Sequence, residues 1–427
     1  MFIDWIHWLS SLHPEQLLAV LAGLLLIDAP RYALSQIAMC LWDAGREICH
    51  ALAARVEPEK ALYCPSVCVV LAGYNEADTL GATLESLWGT YPRMELIVVD
   101  DGSTDGMAEV ARGFARRHEE VLVLSRPERG GKSSALNSAL PYTRAEVIIT
   151  VDTDSHLGPG AIWGIVQPLA DPRVGAVSGT VRVRNPFVNV VTWLQTYEYL
   201  QTIFLGRMLS SRLGLLAIIS GAFGAFRRTV LDQVGAWDVG PGEDGDLTLR
   251  IRKSGYEIGF APYAQAFTKV PTQWLRLYHQ RRRWDRSVIT FECRKHIDLA
   301  FPWHANFRWR EWVMVMERWF FNVAALYGLW GYLAWLCLRA PANAGFTLFT
   351  LYCGYVVMEV IAVLALLYYS NMPGRDLRVC AILPLVPLYQ VFLKAASVVA
   401  VTEELLTRKS FRDNFVPERV REATWHW

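Results

Sequence analysis

Apolar residues gather at the two ends of the chain and leave a polar middle, from about Pro65 to Asp298. Leu17–Ile27 reads Leu-Leu-Ala-Val-Leu-Ala-Gly-Leu-Leu-Leu-Ile, and a further apolar stretch reaches Trp42, interrupted by Asp28, Pro30 and Arg31. The first run alone falls short of the ~20 residues of a membrane-spanning helix; with its continuation it is long enough. Asp28 and Arg31 stand three apart, the spacing of a pair on one helix face, which lowers the cost of holding them in lipid. A cleaved leader needs a basic start, whereas Asp4 and Glu15 precede the run and the first basic residue is Arg31, so a retained anchor is expected. Near the other end, Trp319–Leu338, Phe346–Tyr369 and Val379–Val401 are each close to spanning length and bounded by charges or turn residues. Trp303, Trp309, Trp312 and Trp319, before and at the start of these runs, predict an interfacial aromatic belt.

The middle alternates between the two periods. Ser66–Ala72 predicts a strand, Ala77–Trp88 a helix and Leu96–Val99 a second strand; a helix capped by Ser103 then runs to about His118. Val121–Leu124, a helix over Lys132–Leu140 and the strand Val147–Val151 continue the series. This order predicts an α/β fold with a mostly parallel sheet and helices on both faces. Active sites of such sheets lie at the carboxyl ends of the strands, where Asp100-Asp101 and Asp152-Thr153-Asp154 fall. Phe187–Arg212 is amphipathic and aromatic, a pattern shared by core and interfacial helices.

Composition agrees with lipid contact: 53% of the 427 residues are hydrophobic, 17 are Trp and only 19% are charged. A net charge of +1 gives no electrostatic reason to expect nucleic acid. The eight cysteines are scattered without a zinc spacing and read as free thiols in a reducing compartment. Arg46, Arg55 and Lys60 after the first run place the middle in the cytoplasm. Three further spans would then put the basic tail Arg408–Trp427 outside, so the two ends disagree about orientation.

Four motifs in this middle carry chemistry. Asp152 and Asp154, two apart just past a strand, can reach one hard cation, Mg²⁺ or Mn²⁺, whose shell substrate phosphates complete. Gly130-Gly131-Lys132-Ser133-Ser134 lacks the first glycine of a phosphate loop, since Arg126 stands there, yet its backbone N–H groups and Lys132 suit a diphosphate. Gly242-Glu243-Asp244-Gly245-Asp246 opens an amphipathic helix; its acids either complement the dipole or supply a general base. Gln280-Arg281-Arg282-Arg283-Trp284 sits on a helix from about Thr272, where a Trp face can stack on a sugar and Arg283 can neutralise a leaving diphosphate. A basic helix at lipid head groups would explain Arg281 and Arg282 equally well.

In this order, over about Pro65 to Ser287, the motifs resemble the processive family 2 glycosyltransferases: cellulose, poly-N-acetylglucosamine, hyaluronan and chitooligosaccharide synthases. The resemblance implies a GT-A-type domain flanked by transmembrane and interfacial helices, with boundaries 1–60 for the N-terminal segment and linker, 61–300 for the cytoplasmic transferase and 301–427 for the C-terminal helices and tail. It implies uridine binding by Tyr74, Glu76, Asp100 and Asp101, with Lys132 close to the nucleotide, and metal and diphosphate at Asp152 and Asp154. Asp244 would be the base with Glu243 beside it, Gln280 and Arg283 would meet the donor, and Trp284, Ser220 and Gly221 the acceptor. The activity implied is inverting, processive transfer from a UDP-sugar to a growing β-linked polysaccharide, exported through the helices of a bacterial inner membrane. An accessory membrane or periplasmic subunit is a further candidate partner.

Two departures stand out. Gly242 replaces the Thr of the family's Thr-Glu-Asp motif, and Ile218-Ile219-Ser220-Gly221-Ala222 is closer to the poly-N-acetylglucosamine branch than to cellulose synthase, which favours UDP-N-acetylglucosamine as donor. No counterpart of the cyclic-di-GMP barrel of cellulose synthase follows, so direct control by that nucleotide is not expected. Two rivals share the motifs: transfer of a single sugar to a polyprenyl-phosphate or other lipid, and an inactive transferase-like receptor or scaffold.

Overall fold

A computed structural model describes residues 2–52, 61–238, 242–304, 307–412 and 417–418. Among these residues eight strands, β1 Val67–Gly73, β2 Met94–Asp100, β3 Val121–Ser125, β4 Val147–Val151, β5 His156–Leu157, β6 Val174–Val183, β7 Phe223–Arg227 and β8 Glu257–Thr268, form one sheet. Their order is β3-β2-β1-β4-β7-β6-β8-β5. The first four pair in parallel, as the alternation predicts. β7 then enters antiparallel between β4 and β6, and β6 pairs in parallel with β8, so the whole sheet is mixed.

Both faces of the sheet are covered, which is why its strands read as unbroken apolar runs. Along β1, Cys68 and Val70 enter the core that holds the 132–139 and 190–212 helices, while Val67, Val69 and Leu71 enter the core under the 77–87, 107–115 and 161–166 helices. One correction concerns the cap at Ser103. The helix begins at Met107, after Gly106 at φ 86°, and the Met107 N–H donates to Asp105 Oδ1 at 3.1 Å. Ser103 ties two loops instead, donating its N–H to Asp100 Oδ1 (3.0 Å) and accepting the Asn75 N–H (2.9 Å).

Among the described residues, four helices are long and apolar enough to cross a membrane: Pro14–Ala51, Trp309–Arg339, Pro341–Tyr369 and Leu383–Thr407. The last starts later than Val379 because Pro373–Cys380 is a separate amphipathic helix docked on the sheet. There Arg182 of β6 pairs with Asp376 at 2.8 Å, both fully buried. Asp28 and Arg31 are satisfied by other helices rather than by each other. Arg31 pairs with Glu317 at 2.7 Å, and Asp28 accepts the Tyr355 hydroxyl. Trp303 and Trp309 are exposed, as an aromatic belt requires. The helical segment 190–212 is a core helix. It packs on β6, and Tyr197 donates to Glu359 of the Pro341–Tyr369 helix at 2.6 Å, so it joins the sheet to the apolar helices. Arg55, Lys60 and most of the tail 408–427 lie outside the described residues.

Candidate active site

The carboxyl ends of β1, β2 and β4 open onto one cleft. β4 delivers Asp152 and Asp154, and Lys132, the first residue of its helix, reaches across so that Nζ lies 2.5 Å from Asp152 Oδ1 and 3.2 Å from the Gly221 carbonyl. Burial works against the Lys132 charge, but Asp152, Glu243 and Asp244 outweigh it and hold the ammonium above its usual range. Burial, and then the Asp152 charge, push the Asp154 carboxyl up; burial and the charge of Asp154 do the same to Glu76. The cleft therefore carries more negative charge than Lys132 balances. Two carboxylates with an open side suit a hard divalent cation completed by phosphate oxygens. Among the described residues no group of three or more His, Cys, Asp or Glu is placed to hold a metal ion.

The Gly221 N–H donates to Asp244 Oδ2 at 3.2 Å, so the backbone of one residue touches both the lysine and the acid. A Cβ at Gly221 would stand 3.1 Å from Asp244 Oδ2 and 3.3 Å from Lys132 Nζ; only glycine leaves that approach free. Ser220 donates its N–H to Ser178 Oγ (3.1 Å), which also accepts from Arg207 (2.9 Å). Gly242, in place of the family's Thr, has φ 78° and would set a Cβ 2.8 Å from Phe291. Glycine thus suits the strained entry to the helix Glu243–Lys253. Glu243 is pushed up to about 7, by burial first and then by the Asp244 charge. Asp246 is committed elsewhere. It pairs at 2.8 Å with Arg250, Lys295 and His296, and although burial opposes it these partners hold its carboxyl far below the usual range.

The first acidic pair turns inward. Asp101 is buried and accepts the Gly130 and Gly131 N–H groups at 2.9 and 2.7 Å, with Arg126 at 3.0 Å. The two N–H groups expected to meet a diphosphate are thus taken by Asp101, and Asp100 accepts from Ser103. Tyr74 is partly exposed, with the Arg129 guanidinium 4.4 Å from its ring centre.

The helix Trp274–Val288 carries Gln280, Arg283 and Trp284. Gln280 Oε1 is buried with no hydrogen-bond partner, and the Trp284 indole is 38% exposed. Arg282 and Arg286, one helical turn apart, both bond Glu403 near the end of the Leu383–Thr407 helix. That explains them by protein contacts rather than by lipid. Arg281 is buried, bonds Glu198 and covers Trp284; neither it nor Ser178, Glu198 or Glu403 carries a local sequence signal, because each finds its partner far along the chain.

The family model described as "Glycosyltransferase like family 2" matches residues 65–287. A poly-beta-1,6-N-acetyl-D-glucosamine synthase of Staphylococcus epidermidis is 33% identical over 218 residues, 50% of this chain and 52% of the relative. The probable glycosyltransferase YdaM of Bacillus subtilis is 31% identical over 231 residues, 52% of this chain and 55% of its own. The chain thus spans about half the length of the curated relatives it matches. Among solved structures, a mannosyltransferase of Pyrobaculum calidifontis in complex with GDP-Man and Mn²⁺ superposes with a TM-score of 0.58 over 91% of this chain and 99% of its own, at 22% identity, a likeness of fold.

Proposed function

The chain belongs to the glycosyltransferase-like family 2, and on that premise we propose that it is an inverting, processive polysaccharide synthase using a UDP-sugar, with UDP-N-acetylglucosamine the favoured donor. The observation that carries this reading is the place of the Trp284 helix. It packs along the last apolar helix, where Arg282 and Arg286 bond Glu403 and Asp285 accepts the Ser397 hydroxyl, and its Ser287 lies beside Gly242 at the entry to the Glu243–Lys253 helix. Ionisable side chains inside such helices are costly, and Asp28, Glu359 and Lys394 stand in them. A polymer leaving through them is the cargo that suits a synthase.

In this reading Tyr74 and Glu76 face the nucleotide, on loops that Asp100 and Asp101 brace. Asp152, Asp154 and Lys132 hold the diphosphate end, Mg²⁺ or Mn²⁺ bound at the two aspartates supplying charge neutralisation of the leaving group. Asp244, oriented by the Gly221 N–H, takes the proton from the acceptor hydroxyl as it attacks the anomeric carbon. Trp284 stacks on the acceptor, and Gln280 and Arg283 face the donor. The transferase domain lies on the cytoplasmic side of a bacterial inner membrane, within 61–300, with 1–60 and 301–427 in or beside the bilayer. Reconstituted protein given UDP-N-acetylglucosamine or UDP-glucose separately should make long polymer from one donor. A product of one sugar on a lipid carrier from both would overturn this reading in favour of single transfer.

A further inference from the structure

Trp284 lies over an ion pair that the reaction does not use. The Arg281 guanidinium stands 4.4 Å from the indole centre, close enough for a cation–π contact. Its Nη2 donates to Glu198 Oε2 at 2.9 Å, and the same oxygen accepts the Tyr389 hydroxyl at 2.7 Å. All three are at least nine-tenths buried, while the indole above them is 38% exposed. The three come from separate bodies: Glu198 from the core helix on the sheet, Arg281 from the Trp284 helix and Tyr389 from the last apolar helix. A buried charge pair is weak evidence for stability, since desolvation offsets its attraction, and a well-packed apolar pair would fill the same space. What the pair adds is geometry: it holds a guanidinium against the ring while part of Trp284 stays open to solvent.

We propose that Glu198 and Arg281 are positioning residues for Trp284, with Tyr389 fixing the carboxylate, so that the indole meets the acceptor sugar already oriented. The proposal rests on the reading of Trp284 as the acceptor platform. An indole held from below loses less freedom on binding, so the effect belongs in acceptor affinity and not in donor affinity or chemistry.

The test uses the full chain in lipid, with UDP-N-acetylglucosamine as donor and a short β-linked N-acetylglucosamine oligosaccharide as added acceptor. Arg281→Met should raise the acceptor concentration for half-maximal rate by about 5–10-fold, leaving the donor KM and the saturated rate within about 2-fold. Arg281→Lys, which keeps a cation that can reach both ring and carboxylate, should recover most of that loss. Tyr389→Phe, which removes one hydroxyl, should raise it by about 2-fold. In a Trp284→Ala background, Arg281→Met should add nothing, because its effect passes through the ring. Additive losses in the double variant, an unaltered acceptor dependence in Arg281→Met, or a Lys variant as impaired as Met would overturn the proposal while leaving the role of Trp284 intact. A Trp284→Ala enzyme with normal acceptor dependence would remove the platform and the proposal together.

Discussion

Glu243 and Asp244 are neighbours with different surroundings, and that difference divides their roles. Asp244 accepts the Gly221 N–H and faces the Lys132 side of the cleft. Asp244→Asn keeps the shape but cannot take a proton. Donor affinity should survive, and transfer should fall by about 100-fold or more, read as kcat against donor binding. Glu243 is pushed up to about 7 from 4.5, so the fold favours its neutral acid. That contribution is fully present below the ordinary carboxylate pKa and is lost as pH rises through about 7. Glu243→Gln stays neutral throughout. Its thermal unfolding midpoint without substrate should therefore decline less between pH 5 and pH 8 than that of the parent, a difference worth about 1–3 kcal/mol.

Elements rather than residues decide how the catalytic domain meets the apolar helices. The helix Pro373–Cys380 is anchored by the Arg182–Asp376 pair, with Ser370 and Asn371 adding hydrogen bonds to the two partners. Asp376→Ala would leave a buried guanidinium unpaired and should cost about 3–5 kcal/mol, seen as a lower unfolding midpoint in detergent. An unchanged midpoint would mean that the helix is not held through this pair. This junction was not legible in the sequence: the pair spans 194 residues, and Val379–Val401 read as one span although its start belongs to the docked helix. β1 to β4 were legible because each is a short apolar run ending in turn residues. β7 was not, since its place between β4 and β6 is set by pairing with distant strands. The same divide holds at the site. Asp152, Asp154, Lys132, Asp244 and Trp284 stand in motifs with local spacing, whereas Glu198 meets Arg281 across 83 residues.

At the scale of the whole molecule, a cleft rich in carboxylates is joined through the helix bearing Trp284 to the Leu383–Thr407 helix, one of four long apolar helices among the described residues. The cleft has more acid than Lys132 balances, so activity should vanish in excess chelator and return with Mg²⁺ or Mn²⁺; full turnover in chelator would remove the roles given to Asp152 and Asp154. In the proposed synthase the growing chain stays bound between transfers, held at Trp284 and fed among the apolar helices. Pulse–chase elongation in lipid tests it most directly: chains begun on labelled donor are chased with excess unlabelled donor and free acceptor, and the labelled products are sized. Retention predicts that labelled chains keep lengthening through the chase and that Trp284→Ala shortens them. Labelled products that stop growing once free acceptor is added, in the parent protein, would contradict it.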